Sequence, residues 1–245
     1  AIEKILHMKV NNKLTKLIKY YNLINHNLIF SENAINRCKK RDFKNETKNL
    51  TQQLNNLERT ISEIKNCSLK DYATKMVFSD GNPNSKIMII GEGPGANEDK
   101  EGLPFVGRAG QLLDRMLKSI DLDRDNVYIT NVVNYRPPEN RKPTDEEINK
   151  YLPFLKRHIN IIKPKILLLL GSTALNAILG NEVVISKARG KWYEKKIDKI
   201  TISIIASFHP AFLMRQPEQK KLAWIDLKMI RKKMKDLGIK KIALK

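Results

Sequence analysis

Three short apolar runs in this sequence meet residues whose types suit chemistry. Ile87 to Ile90 runs into Gly91-Glu92-Gly93-Pro94-Gly95, a glycine-rich turn that carries a carboxylate. Val127 to Val133 carries Asn131, and Ile202 to Phe208 runs into His209-Pro210. A carboxylate can hold and polarise water. An amide offers both a donor and an acceptor, so it can tell ligands apart by their hydrogen-bonding edges. A neutral imidazole can donate a hydrogen bond to negative charge as it develops. The turn also has a second reading. Gly91, Gly93 and Ala96 fit G-x-G-x-x-A, a dinucleotide fingerprint, with Asp114 about twenty residues on. Three features oppose it. Pro94 and the following ANEDKEGLPF are not expected to start a helix promptly. Glu98, Asp99 and Glu101 place negative charge where a pyrophosphate would sit. Asp114 falls within the helical pattern QLLDRML, not at the end of a second strand.

The elements that must position these groups follow from periodicity. The three runs and a fourth, Ile166 to Leu170, have the pattern of buried strands. Helical patterns separate them at Ala109 to Ile120, Thr144 to Ile162 and Thr173 to Leu179. Alternating strands and helices imply right-handed crossovers and a sheet covered on both faces. The expected fold is therefore α/β: three α/β/α layers around a central, mainly parallel four-stranded sheet. Ligands of such sheets bind beyond the carboxyl ends of the strands, which gathers Glu92, Asn131 and His209 on one rim. Residues 1–60 read as a helical extension and residues 61–240 as the α/β domain. In the extension, Ile2, Ile5, Leu6, Val10, Leu14, Leu17 and Ile18 recur at helical spacing, as do Leu50, Leu54, Leu57, Ile61 and Ile64. The polar stretch Ser31 to Asn49 reads as a connection. From Gln219 the tail reads as a basic amphipathic helix, its apolar face formed by Leu222, Ile225, Leu227, Met229, Ile230, Met234 and Leu237.

Longer strings carry a more specific message. VFSDGNPNSKIMIIGEGPGANEDKEGLPFVGRAGQLLDRML, VYITNVVNYRPPENRKPT, RGKWYE and SFHPAFLMRQP occur in that order. Together they closely resemble the family 4 uracil-DNA glycosylases, from about Cys67 to about Leu237. The resemblance implies an enzyme that flips deoxyuridine out of DNA, hydrolyses its N-glycosidic bond and leaves an abasic site. It implies a role for each matching residue. Phe105 is the stacking platform for the base. Asn131 reads uracil against cytosine. His209 stabilises charge on uracil O2. Glu92 and Glu98 are the two motif carboxylates, and Gly93 stands in the uracil pocket where other uracil-glycosylase families carry an Asp. Arg189, Lys191 and Arg215 resemble DNA contacts, and Leu213 and Met214 the wedge that fills the gap left by the flipped base.

One departure concerns a cofactor. Many family 4 enzymes hold a [4Fe–4S] cluster on four Cys. The corresponding positions here are Ile64, Cys67, Tyr135 and Tyr151, so one of the four ligands is retained. One thiolate cannot hold such a cluster. No cluster and no other metal are expected, and Ile64, Tyr135 and Tyr151 are expected to fill the place as an apolar plug. A sister group captures uracil-DNA covalently through a His in a basic insertion. NYRPPENRKPT has neither, so turnover is expected.

Composition agrees with an anionic partner. The 245 residues carry 46 Lys and Arg against 26 Asp and Glu, a net charge of +20. Two cysteines, Cys38 and Cys67, exclude a disulfide framework and indicate a reducing, cytoplasmic compartment. The four His are far apart, with no paired metal-ligand spacing. The longest apolar run is too short for a bilayer, and no secretory signal is expected. The expected protein is a monomeric uracil-DNA glycosylase that needs no cofactor and has uracil-containing DNA as its partner. The alternatives are a catalytically weakened uracil-DNA-binding relative and a dinucleotide-binding α/β protein.

Overall fold

The structure is a computed structural model that describes residues 43–180, 183–198 and 200–239. Contacts divide the chain into Ala1–Phe43 and a compact unit, Lys44–Lys245. The first helical pattern, Ile2 to Ile18, together with Cys38, His7 and His26, lies outside the described residues. So do most of the connection expected over Ser31 to Asn49 and the last six residues of the basic tail.

The described chain opens with helix α1 (Phe43–Ser62), so the last residues of the expected connection are helical. Leu54, Leu57 and Ile61 of α1 are buried in the core beside Cys67 and Leu69. This helix, which spans the 60/61 boundary read from sequence, thus packs as part of the compact unit. A short helix α2 (Ser68–Tyr72) follows.

Next come β1 (Asp80–Gly81), β2 (Ile87–Gly91), α3 (Ala96–Glu101), α4 (Arg108–Lys118) and β3 (Tyr128–Asn131). Helix α5 (Asp145–Ile162) leads to β4 (Ile166–Leu170), then to α6 (Ser172–Leu179) and α7 (Ile185–Ala188). The chain continues through β5 (Trp192–Ile197), β6 (Ile200–Ser207), α8 (Pro210–Arg215) and α9 (Lys220–Asp236). The sheet order is β1-β3-β2-β4-β6-β5. The inner four strands are parallel, as expected. Two antiparallel edge strands, β1 beside β3 and β5 beside β6, extend the expected four-stranded sheet to six.

Alternation along the inner strands builds both layers. Met88, Ile90, Leu167, Leu169, Ile202 and Ile204 face one core, with α1, α5 and α6. Ile87, Ile89, Leu168, Leu170 and Ile205 face the other, with Leu112, Leu113 and Leu117 of α4 and Leu227 and Ile230 of α9. The tail helix packs on the sheet through most of its expected face, whereas Ile225 is exposed. Among the described residues, no helix is long and apolar enough to cross a membrane.

Strand register sets the rim. Gly91 pairs with Asn131, and Leu170 with Ser207, at the carboxyl ends of the parallel strands. Strand β2 has β3 on one side and β4 on the other, so the chain reverses direction across the sheet there. That is the switch point at which open α/β sheets form a crevice.

Candidate active site

A cavity of about 180 Å³ opens at this rim, lined by Glu92, Gly93, Glu98, Phe105, Asn131 and His209 among others. All the residues read from sequence as catalytic or uracil-binding therefore meet in one place.

Asn131 is buried at the end of β3, and its side chain makes no hydrogen bond with another described residue. Its oxygen and nitrogen are both left to whatever enters the cavity. Gly91 is the partner that makes this fit. A Cβ there would lie 2.4 Å from Asn131 Oδ1 and 2.6 Å from Phe105 Cζ, so only glycine lets amide and ring come together. Gly93 is similarly confined, its would-be Cβ 2.8 Å from Val133 Cγ2.

His209 is the N-cap of α8, where its Nδ1 accepts the Ala211 backbone N–H at 3.2 Å. Accepting at Nδ1 places the proton of a neutral imidazole on Nε2. Burial chiefly, helped by the charge of Arg215 and opposed by Glu98, lowers the His209 pKa to about 4. The ring is thus a neutral donor at neutral pH, and it packs on Phe105 with centroids 5.6 Å apart. Gly171, with φ +90°, approaches the His209 side chain closely, its would-be Cβ 3.1 Å from His209 Cβ.

His158 is also held neutral. It is buried between the stacked ring of Phe78 and the Tyr128 hydroxyl, and burial lowers its pKa to about 3. It is a packing residue. An unfolded chain protonates both imidazoles as pH falls through about 6.5, whereas the folded chain resists until far lower. Folding stability contributed by the two rings is therefore present above that pH and lost as pH falls towards 4. Melting temperatures recorded between pH 7 and pH 4.5 should fall, and fall less in His209→Asn. An equally steep fall in that variant would show that His209 does not carry the effect.

The two carboxylates divide their work. Thr173 Oγ1, at the start of α6, donates to Glu92 Oε2, and no hydrogen bond from another described residue holds Glu92 Oε1. Glu98 is fully engaged. Its Oε2 accepts Gly95 N at 3.1 Å, and its Oε1 accepts Val106 N at 3.0 Å and Gly107 N at 2.9 Å. The physical reason corrects the expectation that no helix starts promptly here: α3 begins at Ala96, so Glu98 falls on its third residue and reaches back to the N-cap amide. Glu98 braces two loops of the cavity rather than facing it with a free carboxylate. The Gly95 contact also opposes dinucleotide binding, because it sets the Glu98 carboxylate against an amide of the glycine-rich turn, where a pyrophosphate would meet like charge.

The expected DNA contacts separate. Lys191 and Arg215 are exposed and Met214 is partly exposed. Leu213 is 1% exposed and packs in the core, so it is not a free wedge. Arg189 pairs through Nε and Nη2 with the wholly buried carboxylate of Asp226, which also accepts Ser207 Oγ at 2.7 Å. A buried carboxylate without its partner would be costly, and this commits the Arg189 guanidinium to the interior.

Sequence reasoning missed Gly171 and Thr173, and saw Gly91 only as part of a glycine-rich turn. Leu170 runs into Gly171-Ser172-Thr173 at the same rim, and that fourth strand exit was the available signal.

The four positions that the resemblance assigns to a [4Fe–4S] cluster lie in one core. Cys67 Sγ and the Tyr151 hydroxyl are 3.2 Å apart; Tyr135 and Tyr151 are buried, and Ile64, partly buried, packs against the same core. Burial pushes both phenols above their usual range, Tyr151 further through its Cys67 contact. One thiol, two phenols and an alkyl chain are not the donor set of a cubane, which needs four thiolates. The described residues do not fit this group.

The model of the uracil DNA glycosylase superfamily matches residues 78–228. The chain is 43% identical over 183 residues to a type-4 uracil-DNA glycosylase of Sulfurisphaera tokodaii, covering 73% of this chain and 83% of that protein. It is 38% identical over 183 residues to one of Archaeoglobus fulgidus, covering 73% and 92%. It is 42% identical over 159 residues to one of Thermotoga maritima, covering 63% and 80%. By its matched sequence, its sheet and its rim cavity, this chain belongs to the uracil-DNA glycosylase superfamily, among the type-4 uracil-DNA glycosylases.

Proposed function

We propose that this protein hydrolyses the N-glycosidic bond of deoxyuridine flipped out of DNA, releasing uracil and leaving an abasic site that begins base-excision repair. One observation carries the site assignment: the unpartnered Asn131 amide, the Nε2–H of His209 and the Phe105 ring all face one cavity. The base stacks on Phe105 and its edge pairs with Asn131. As the bond between C1′ and N1 breaks, its electron pair passes to the base, and the charge gathering on O2 is met by His209 Nε2–H. Water held by Glu92 adds its oxygen to C1′, and its proton is finally taken up by the released uracil. Glu98 keeps the loops in place. The basic surface, including Lys191 and Arg215, grips the phosphates.

A uracil-containing oligonucleotide incubated with the protein in EDTA and then treated with alkali should break at the uracil position. An intact strand, with no free uracil, would leave the weakened binding relative as the reading.

The protein works without iron on this reading, as a monomer in the cytoplasm. Cys67 is the one cysteine at the four ligand positions, and its Sγ is already beside Tyr151. Purified protein should be colourless, without broad visible absorption and without stoichiometric iron. A brown protein that bleaches on oxidation would sink this expectation.

A further inference from the structure

Phe105 has an unusual backbone. Its φ is +56°, a region unfavourable for a residue with a bulky side chain and kept only where neighbours over-determine it. Three neighbours do so. Glu98 holds the next two amides, those of Val106 and Gly107. Gly110 lies so close that a Cβ on it would be 1.6 Å from the Phe105 carbonyl oxygen. The third is Arg124, which lines no part of the cavity.

The Arg124 guanidinium donates to acceptors on four residues. Its Nε donates to Asp114 Oδ1 at 2.9 Å and its Nη1 to Asp80 Oδ2. Nη1 also donates to the Pro104 carbonyl at 3.1 Å, and Nη2 to the Phe105 carbonyl. Two acidic side chains, one on β1 and one on α4, fix the fork, and the fork fixes two consecutive carbonyls. The Phe105 carbonyl and ring share one Cα, so turning that peptide would swing the ring. A planar guanidinium makes this span; the single ammonium of lysine cannot.

We propose that Arg124 is the positioning residue for Phe105, setting the plane on which the flipped base stacks. The proposal rests on Phe105 being the base platform. A guanidinium that merely joined β1 to α4 would satisfy the two carboxylates alone. This one also holds the carbonyl of the residue whose ring faces the cavity.

A double-mutant cycle tests it. Phe105→Ala should lower uracil release at saturating DNA about tenfold, the scale of one lost base–aromatic stack. Arg124→Gln should cause a similar loss and weaken inhibition by free uracil by a similar factor. KM for DNA should stay unchanged, because phosphate contacts dominate it. Arg124→Lys, which can still pair with Asp80 or Asp114, should show the same loss with little change in Tm. In the Phe105→Ala background, either substitution should cost less than a further twofold, since both act through one ring. Losses that simply multiply would overturn the proposal. So would failure of both Arg124 variants to fold, which would mean that the bridge serves the fold instead. Full activity in Phe105→Ala alone would remove the platform itself, so that failure is told apart from a failure at Arg124.

Discussion

Uracil release is expected to slow at least about a hundredfold in His209→Ala, the scale of losing one preorganised donor to a developing anion. The expectation rests on three local facts. The Ala211 amide occupies Nδ1, so the donor face is Nε2. The pKa of about 4 keeps the ring uncharged at neutral pH, so its orientation does not alternate with protonation. The ring packs on Phe105, beside the place where the base would stack. Affinity for undamaged DNA should hardly change, because phosphate contacts dominate that term. Single-turnover release and binding to a uracil-free duplex, measured on the same preparation, separate the two. Unaltered turnover in the variant would make His209 a capping residue and displace the anion site.

Exchanging the Asn131 amide for a carboxylate should change what the cavity accepts. Uracil presents an N3–H donor and an O4 acceptor, whereas cytosine presents an N3 acceptor and an amino donor. On the proposed reading the amide beside Gly91 turns its oxygen to N3–H and its nitrogen to O4, and so satisfies the first pair. In that orientation it opposes both groups of the second. Leaving buried groups mismatched costs roughly 1–3 kcal/mol each. Asp at this position accepts from the cytosine amino group and repels uracil O4. Asn131→Asp should therefore lose most uracil activity and gain slight activity on cytosine. Matched oligonucleotides carrying either base at one position measure this. Full uracil activity in Asn131→Asp would mean that another group reads the base edge.

Much of this molecule was legible in its residues, and the parts that were not share a physical cause. Runs such as Ile166 to Leu170 are apolar throughout because both sheet faces are covered, so the four parallel strands were readable. The edge strand β5 is Trp-Tyr-Glu-Lys-Lys-Ile with only its last residue buried, and β1 is two residues long, so neither carries a strand pattern. The start of α3 was hidden because its N-cap is Gly95, which has no capping side chain to announce it. Glu98, matched to a motif carboxylate by resemblance, sits on the third residue of that helix and accepts the Gly95, Val106 and Gly107 amides, contacts that no sequence pattern announces. Arg189 was read as a DNA contact because its partner, Asp226, is 37 residues away and meets it only after folding. Glu92, Asn131 and His209 were legible as polar groups at strand exits, whereas Phe105 and the role of each residue came through motif resemblance.

The pairing of Gly91 with Asn131 in the parallel ladder has a consequence for how this enzyme would be refolded. Side chains on a strand change face with every residue, so a slip of β3 by one position would turn Asn131 away from the cavity and set Thr130 or Val132 level with Gly91. Such a slip would also move Ile129, 0% exposed, out of its core. Chains with the wrong alignment therefore lose buried contacts and base discrimination together. During renaturation from urea, the regain of uracil selectivity should follow the regain of tight core packing with one time course. Glycosylase assays could then count correctly aligned molecules in a mixed preparation.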